Sequence, residues 1–262
     1  MPSISLPGGS KIVVGNENDT ITVYGSGTVK AGSGDDSINI LGRGHVTVGS
    51  GQDTVHIAGD GTVKAGSGND SISVGGNAQV SLGAGNDTIT LGSGSDTIFT
   101  AGSATLTGSF GSATVTGGGL EIIQSEGHGG RTTVEGGGER PRFVHATGGD
   151  AHGGKGGETF IFGSGHDTVT AAAPGNLFEF LRSGSGGQHV IENFVSGRDQ
   201  LYLEGHSLSY LKSHGDITTQ GGNTYISLDG GHTSIELKGI TSLTSSDIKT
   251  GGGGSDGGGH HR

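Results

Sequence analysis

The sequence predicts an all-β fold: a parallel β-roll or β-solenoid built from 17-residue coils and followed by a C-terminal β cap. Three observations carry this expectation. Asp19, Asp36, Asp53, Asp70 and Asp87 recur at an interval of 17 residues, and aliphatic residues recur at the same interval. Glycine, 60 of 262 residues, gathers in short phrases between the alternating segments. A glycine-rich chain with only 29% apolar residues is usually disordered when it lacks a period. The period reverses that expectation for the first half of the chain.

Aligned on the aspartates, residues 15–31, 32–48, 49–65 and 66–82 form full coils, and a fifth starts at Gly83. One aliphatic column is Ile21, Ile38, Val55, Ile72 and Ile89; two residues on runs Val23, Ile40, Ile57, Val74 and Leu91. The opposite strand gives Ile12, Val29, Val46, Val63 and Val80, with Val14, Ala31, Val48, Ala65 and Leu82 beside it. Residues two apart on a strand share a face. Each coil therefore holds two short strands with aliphatic side chains inward, and stacking buries a core that no single coil could bury. The glycines suit the turns.

The pattern then shifts. Gly92–Thr100 (GSGSDTIFT) places Asp96 on the turn opposite the main row, and residues 104–119 keep alternating without any acid. The organisation expected is a glycine-rich solenoid over 8–119, irregular or degenerate coils over 120–158, further coils and a capping or export region over 159–250, and a flexible glycine-rich tail over 251–262. Residues 120–158 read equally as irregular coils or as a surface excursion. The phrase returns once as GSGHDTVTA, carrying Asp167.

A net charge of −11 argues against nucleic acid as a partner, since phosphate binding needs a basic face. The lack of cysteine removes disulfides, thiolate metal sites and cysteine nucleophiles. Residues 1–15 show no basic and apolar leader pattern, so a cleavable signal peptide is not expected. No segment approaches the roughly 18 apolar residues of a membrane helix. The carboxylate row itself calls for a cation. Stacked strands lie about 4.8 Å apart, and like charges at that spacing repel by on the order of 1 kcal/mol or more. Calcium takes six to eight oxygens in flexible geometry, whereas magnesium demands a tight octahedron and keeps its waters. The competing expectation is that these aspartates only cap turns.

The phrases AGSGDDSIN (31–39), VGSGQDTVH (48–56), AGSGNDSIS (65–73), LGAGNDTIT (82–90), LGSGSDTIF (91–99) and FGSGHDTVT (162–170) resemble the nonapeptide of the repeats-in-toxin (RTX) family of calcium-binding β-rolls. VGNENDTIT (14–22) is a looser match, with Glu17 at the third glycine. The resemblance implies calcium held between neighbouring turns by aspartate carboxylates and turn carbonyls. Carried over by position, the metal residues are Asp19, Asp36, Asp53, Asp70 and Asp87 with Gly34, Gly51, Gly68 and Gly85, together with Asp96 and Asp167. The family carries its phrase on both turns of a coil; here coils 15–82 carry it on one. One calcium row is therefore implied. HVIENFVSGRDQLYLEG (189–205) and NTYISLDGGHTSIELKGITSLTSSDI (223–248) are similar to the pieces that close such rolls and lead into type I export.

The function implied is a secreted calcium-binding β-roll with a structural, adhesive or extracellular-matrix role, folding on calcium outside the cell, with polysaccharide or cell-surface matrix as a further partner. The coils begin almost at residue 12, so no upstream enzyme domain is expected, and the chain reads as non-catalytic. One alternative is a polysaccharide-processing enzyme of lyase or epimerase type, with a site built from residues 120–160 such as Glu135, Glu139 and His145. Another is a detached export and folding module. No H-E-x-x-H, nucleophile elbow or phosphate loop is present.

Overall fold

The computed structural model of the chain describes residues 3–108, 111–117, 120–124, 131–135, 142–145, 149–153, 157–182 and 186–249, with backbone alone from 120 to 149. The tail expected over 251–262 lies outside these residues.

Valine, isoleucine and threonine alternate in short runs, and the backbone answers with strands whose burial alternates in step. Thr54–Ile57 (TVHI) runs exposed, buried, exposed, buried. Each coil contributes one strand to each of two sheets. Among the described residues the first sheet has 12 parallel strands, from Ser3–Pro7 through Thr20–Tyr24, Ser37–Ile40 and Thr54–Ile57 to Gln200–Leu203. The second begins Ser10–Val13, Gly27–Lys30, Gly44–Thr47 and Gly61–Lys64 and has 14 strands among the described residues. The all-β solenoid with 17-residue coils is thus the fold that forms. Ile21 pairs with Ile38, Ile38 with Val55 and Val55 with Ile72. Apart from the partly buried Val14 at one end, each aliphatic column becomes a continuous buried ladder, with Ile21, Ile40 and Ile57 fully enclosed. Such burial is worth about 1.5–3 kcal/mol per large side chain, which offsets the ordering entropy of a chain so rich in glycine.

The sheets continue through the stretch whose register the sequence obscures. Leu120–Gln124 and Arg142–His145 join the first sheet, and Arg131–Glu135 and Gly149–His152 the second. Only the coil length changes: Ala104 pairs with Leu120, but Glu121 pairs with Arg142. Beyond it the core turns aromatic. Phe160 stacks on Phe178 with ring centroids 5.2 Å apart, and Phe162 on Phe180 at 4.3 Å.

The C-terminal end closes the stack. Thr233–Leu237 pairs parallel with the last coil, then Asn223–Leu228 and Ile217–Gln220 add antiparallel. Reversing direction ends the template on which another coil could grow. Helix Leu208–His214 is capped by the Ser207 hydroxyl, which accepts from the Tyr210 N–H at 3.2 Å, and stops at Gly215 in the left-handed region. Asp247 pins the terminal segment. Its buried carboxylate accepts from the backbone N–H groups of Thr244 and Gly197 and from the hydroxyls of Ser196 and Thr244. Burial pushes its pKa up, but these donors together outweigh burial and hold it below the usual value. Asp247→Ala strands four donors and should cost about 2 kcal/mol, read as a lower denaturant midpoint with an unchanged m-value. The stability this carboxylate contributes is present above the unfolded pKa and is lost as pH falls through its lowered folded value.

Candidate metal row along one corner of the solenoid

Asp19, Asp36, Asp53 and Asp70 each stand immediately before a strand of the first sheet, and Asp87 is the second residue of the strand Asn86–Leu91; there is one per coil, and all are buried. The strand register brings them into a single column. Every carboxylate from Asp36 to Asp87 reaches one coil back. Asp36 Oδ1 accepts from the Asp19 N–H at 2.9 Å, Asp53 from Asp36 at 2.9 Å, Asp70 from Asp53 at 3.0 Å and Asp87 from Asp70 at 2.9 Å. The turn-capping role is therefore real, but it acts between coils rather than within a turn. It also uses only half of each carboxylate. The Oδ2 atoms of Asp36, Asp53, Asp70 and Asp87 are buried with no hydrogen-bond partner.

Without a cation that arrangement disfavours charge. Burial, foremost, pushes the pKa of Asp53 up to about 6; the carboxylates of Asp70, Asp36 and Asp35 push the same way, against the hydrogen bond from Asp36. Burial likewise raises Asp36, Asp70 and Asp87. A buried carboxylate oxygen without a donor must take a proton or a cation.

The glycines preceding these aspartates are packed backbone to backbone. A Cβ placed on Gly51 would overlap the carbonyl oxygen of Gly34, one on Gly68 that of Gly51, and one on Gly85 that of Gly68. Three of the four expected turn carbonyls, those of Gly34, Gly51 and Gly68, thus aim along the row into the space between coils. The Gly85 carbonyl instead accepts from the Ser103 N–H at 2.9 Å, where the row ends. The next residue in the column is Ala104. Among the described residues no three His, Cys, Asp or Glu side chains cluster as a metal site. The row therefore offers a hard, all-oxygen donor set of one carboxylate per coil plus backbone carbonyls, which fits calcium and does not fit zinc.

Asp96 and Asp167 lie elsewhere. Asp96 belongs to the second sheet; its Oδ1 accepts from the Ala78 N–H at 2.8 Å, its Oδ2 is orphaned, and burial raises its pKa to about 6. It repeats the motif once, because the positions before it in that column are Gly27, Gly44, Gly61 and Ala78. A Cβ on Gly44 would stand 2.7 Å from Ile57 Cδ1, so inward isoleucines occupy the room that a second aspartate row needs. Asp167 is paired instead: its Oδ2 lies 2.7 Å from Nδ1 of His189, both side chains buried, with the rings of Phe162 and Phe180 edge-on to the imidazole.

The column also has members that the fixed interval does not find. Asn176 Oδ1 accepts from the Glu158 N–H at 2.8 Å. Asp199 accepts from the N–H groups of Gly175, Asn176 and Val195, so both of its oxygens are satisfied by backbone. These residues continue the first-sheet corner at longer intervals, and the sequence signal is an acid or amide just before a strand. Glu135, Glu139 and His145, on which a catalytic reading rests, have no described side chains. Among the described residues no helix is long and apolar enough to cross a membrane. No known protein-family model matches this chain, and no curated protein matches it in sequence.

Proposed function

We propose that this chain is a calcium-binding β-roll of the repeats-in-toxin type, exported by a type I route, that folds on meeting calcium outside the cell and serves there as an adhesive or matrix scaffold. The observation that carries the reading is the row of buried, partnerless Oδ2 atoms on Asp36, Asp53, Asp70 and Asp87. Calcium, when bound, supplies the positive charge that lets these carboxylates stay ionised. The chain's own residues do the rest. Each Oδ1 fixes the coil behind it, each Oδ2 is left for the metal, and the glycines bring successive turns close enough for their carbonyls to join. Because the site exists only between stacked coils, binding and folding are one event.

The test is a calcium titration followed by circular dichroism and scattering. Compaction and gain of β signal should occur together. Equal β content in chelator and in millimolar calcium would sink the proposal. The double variant Asp53→Asn with Asp70→Asn keeps the acceptors for Asp36 and Asp53 but removes two charges. Its calcium midpoint should rise by about tenfold or more.

A further inference from the structure

One repeat phrase does not fit a metal. FGSGHDTVT (162–170) keeps the close turn of the front coils: a Cβ on Gly187 would overlap the Gly165 carbonyl oxygen, as one on Gly68 would that of Gly51. The difference is what stands next in register to its aspartate. Asp53 is followed by Asp70, a second anion, and Asp96 by Ala113, which offers no polar atom; the Oδ2 atoms of both Asp53 and Asp96 are orphaned. Asp167 is followed by His189. Its Oδ2 lies 2.7 Å from Nδ1, so Nδ1 carries a proton and donates it to the carboxylate. Phe162 and Phe180, with ring centroids 5.1 and 5.4 Å from the imidazole, surround the pair with carbon, which calcium does not take as a ligand.

The other buried aspartates beyond residue 157 have donors too. Asp199 accepts from three backbone N–H groups, and Asp247 from two with two hydroxyls. Between Glu158 and Asp199 the corner position is Asn176, an amide with no charge to neutralise. The core changes in step. Phe160, Phe162, Phe178, Phe180 and Phe194 are buried here, where the front coils bury valine, isoleucine and alanine.

We propose that His189 takes the cation's place at this phrase, and that residues 159–249 therefore form a block that folds without calcium. The imidazole is part of the chain, so its donor is present whatever the calcium level. A stretch of roughly 90 residues with its own aromatic core is large enough to fold alone. The front coils, whose Oδ2 atoms have no such donor, are the part that waits for the metal. The proposal rests on the calcium reading for those coils and confines it to them.

The experiment is hydrogen exchange by mass spectrometry on the full chain at neutral pH, in chelator and in millimolar calcium. In chelator, peptides from 159–249 should keep their protection while those from 20–100 exchange freely. Calcium should protect the second set and change the first little. His189→Leu fills the space without a donor and should cost residues 159–249 about a hundredfold in protection in chelator. Adding Asp167→Val removes the stranded charge and should return most of that protection. Such a rescue separates charge matching from loss of packing. Free exchange over 159–249 in the chelated wild type, an unaffected His189→Leu, or a double variant no better than the single would each overturn the proposal. Protection of residues 20–100 in chelator would instead sink the calcium reading of the front row, so the two failures appear in different peptides.

Discussion

Gly68→Ala should cost about 3 kcal/mol or more and should disrupt the coils on either side of it. Two effects add. Gly68 has φ +135°, which alanine adopts only under strain, and its Cβ would fall on the Gly51 carbonyl oxygen. The backbone cannot easily retreat. The Gly51 N–H donates to Ser67 O at 3.0 Å and the Gly68 N–H to Ala84 O at 2.9 Å, so the turn is tied to the next coil. A solenoid transmits the fault, because each coil is stabilised mainly by its neighbours. Gly221→Ala is the internal comparison. Gly221 has φ +62° with nothing within 4 Å of the added carbon, so only conformational strain remains, about 1 kcal/mol. Denaturant midpoints should separate the two variants, and hydrogen exchange should show lost protection around residues 49–87 in the first alone. Equal midpoints would mean that the coils are not packed backbone to backbone.

The same close packing explains why the first five coils were legible in the sequence and later ones were not. Where the coil length is fixed, Ile38, Val55 and Ile72 must fall above one another, and a constant interval records that contact directly. Once turns lengthen, strands still stack, but the interval drifts: Phe160 meets Phe178, and Phe178 meets Leu201. No fixed template finds Asn176 or Asp199, although both stand in the aspartate column. Asp167 sits in a good match to the repeat phrase, yet its partner is His189, a residue 22 positions away that only the longer coil brings opposite it. The one-sidedness of the row was visible as missing aspartates. Its cause, isoleucines from the first sheet reaching over Gly44 and Gly61, needs side-chain positions.

In chelator, the chain should be more stable at pH 4.5 than at pH 7.5, and millimolar calcium should reverse that order. Burial raises the pKa of Asp53 and Asp96 to about 6, above a reference near 3.8, and raises Asp36, Asp70 and Asp87 in the same direction. A carboxyl whose folded pKa is raised takes up protons on folding. Its contribution is fully present below the unfolded value and is lost as pH climbs through the folded one. For Asp53 and Asp96 the window therefore runs from about pH 4 to about pH 6, and each contributes on the order of a few kcal/mol across it. Asp247, whose pKa is lowered, works in the opposite sense, but its loss falls at more acid pH than this window. Calcium competes with those same protons for the same oxygens. It should bind weakly at pH 4.5 and strongly at pH 7.5, where it neutralises the row that acid would otherwise discharge. Asp53→Asn separates the two effects. The amide still accepts from the Asp36 N–H, so the metal-free variant should be more stable than the wild type at pH 7.5, while its response to calcium shrinks. The β signal by circular dichroism at both pH values, with and without the metal, gives four readings per protein. A wild type whose metal-free β signal rises with pH would show that the aspartates are already satisfied without proton or cation.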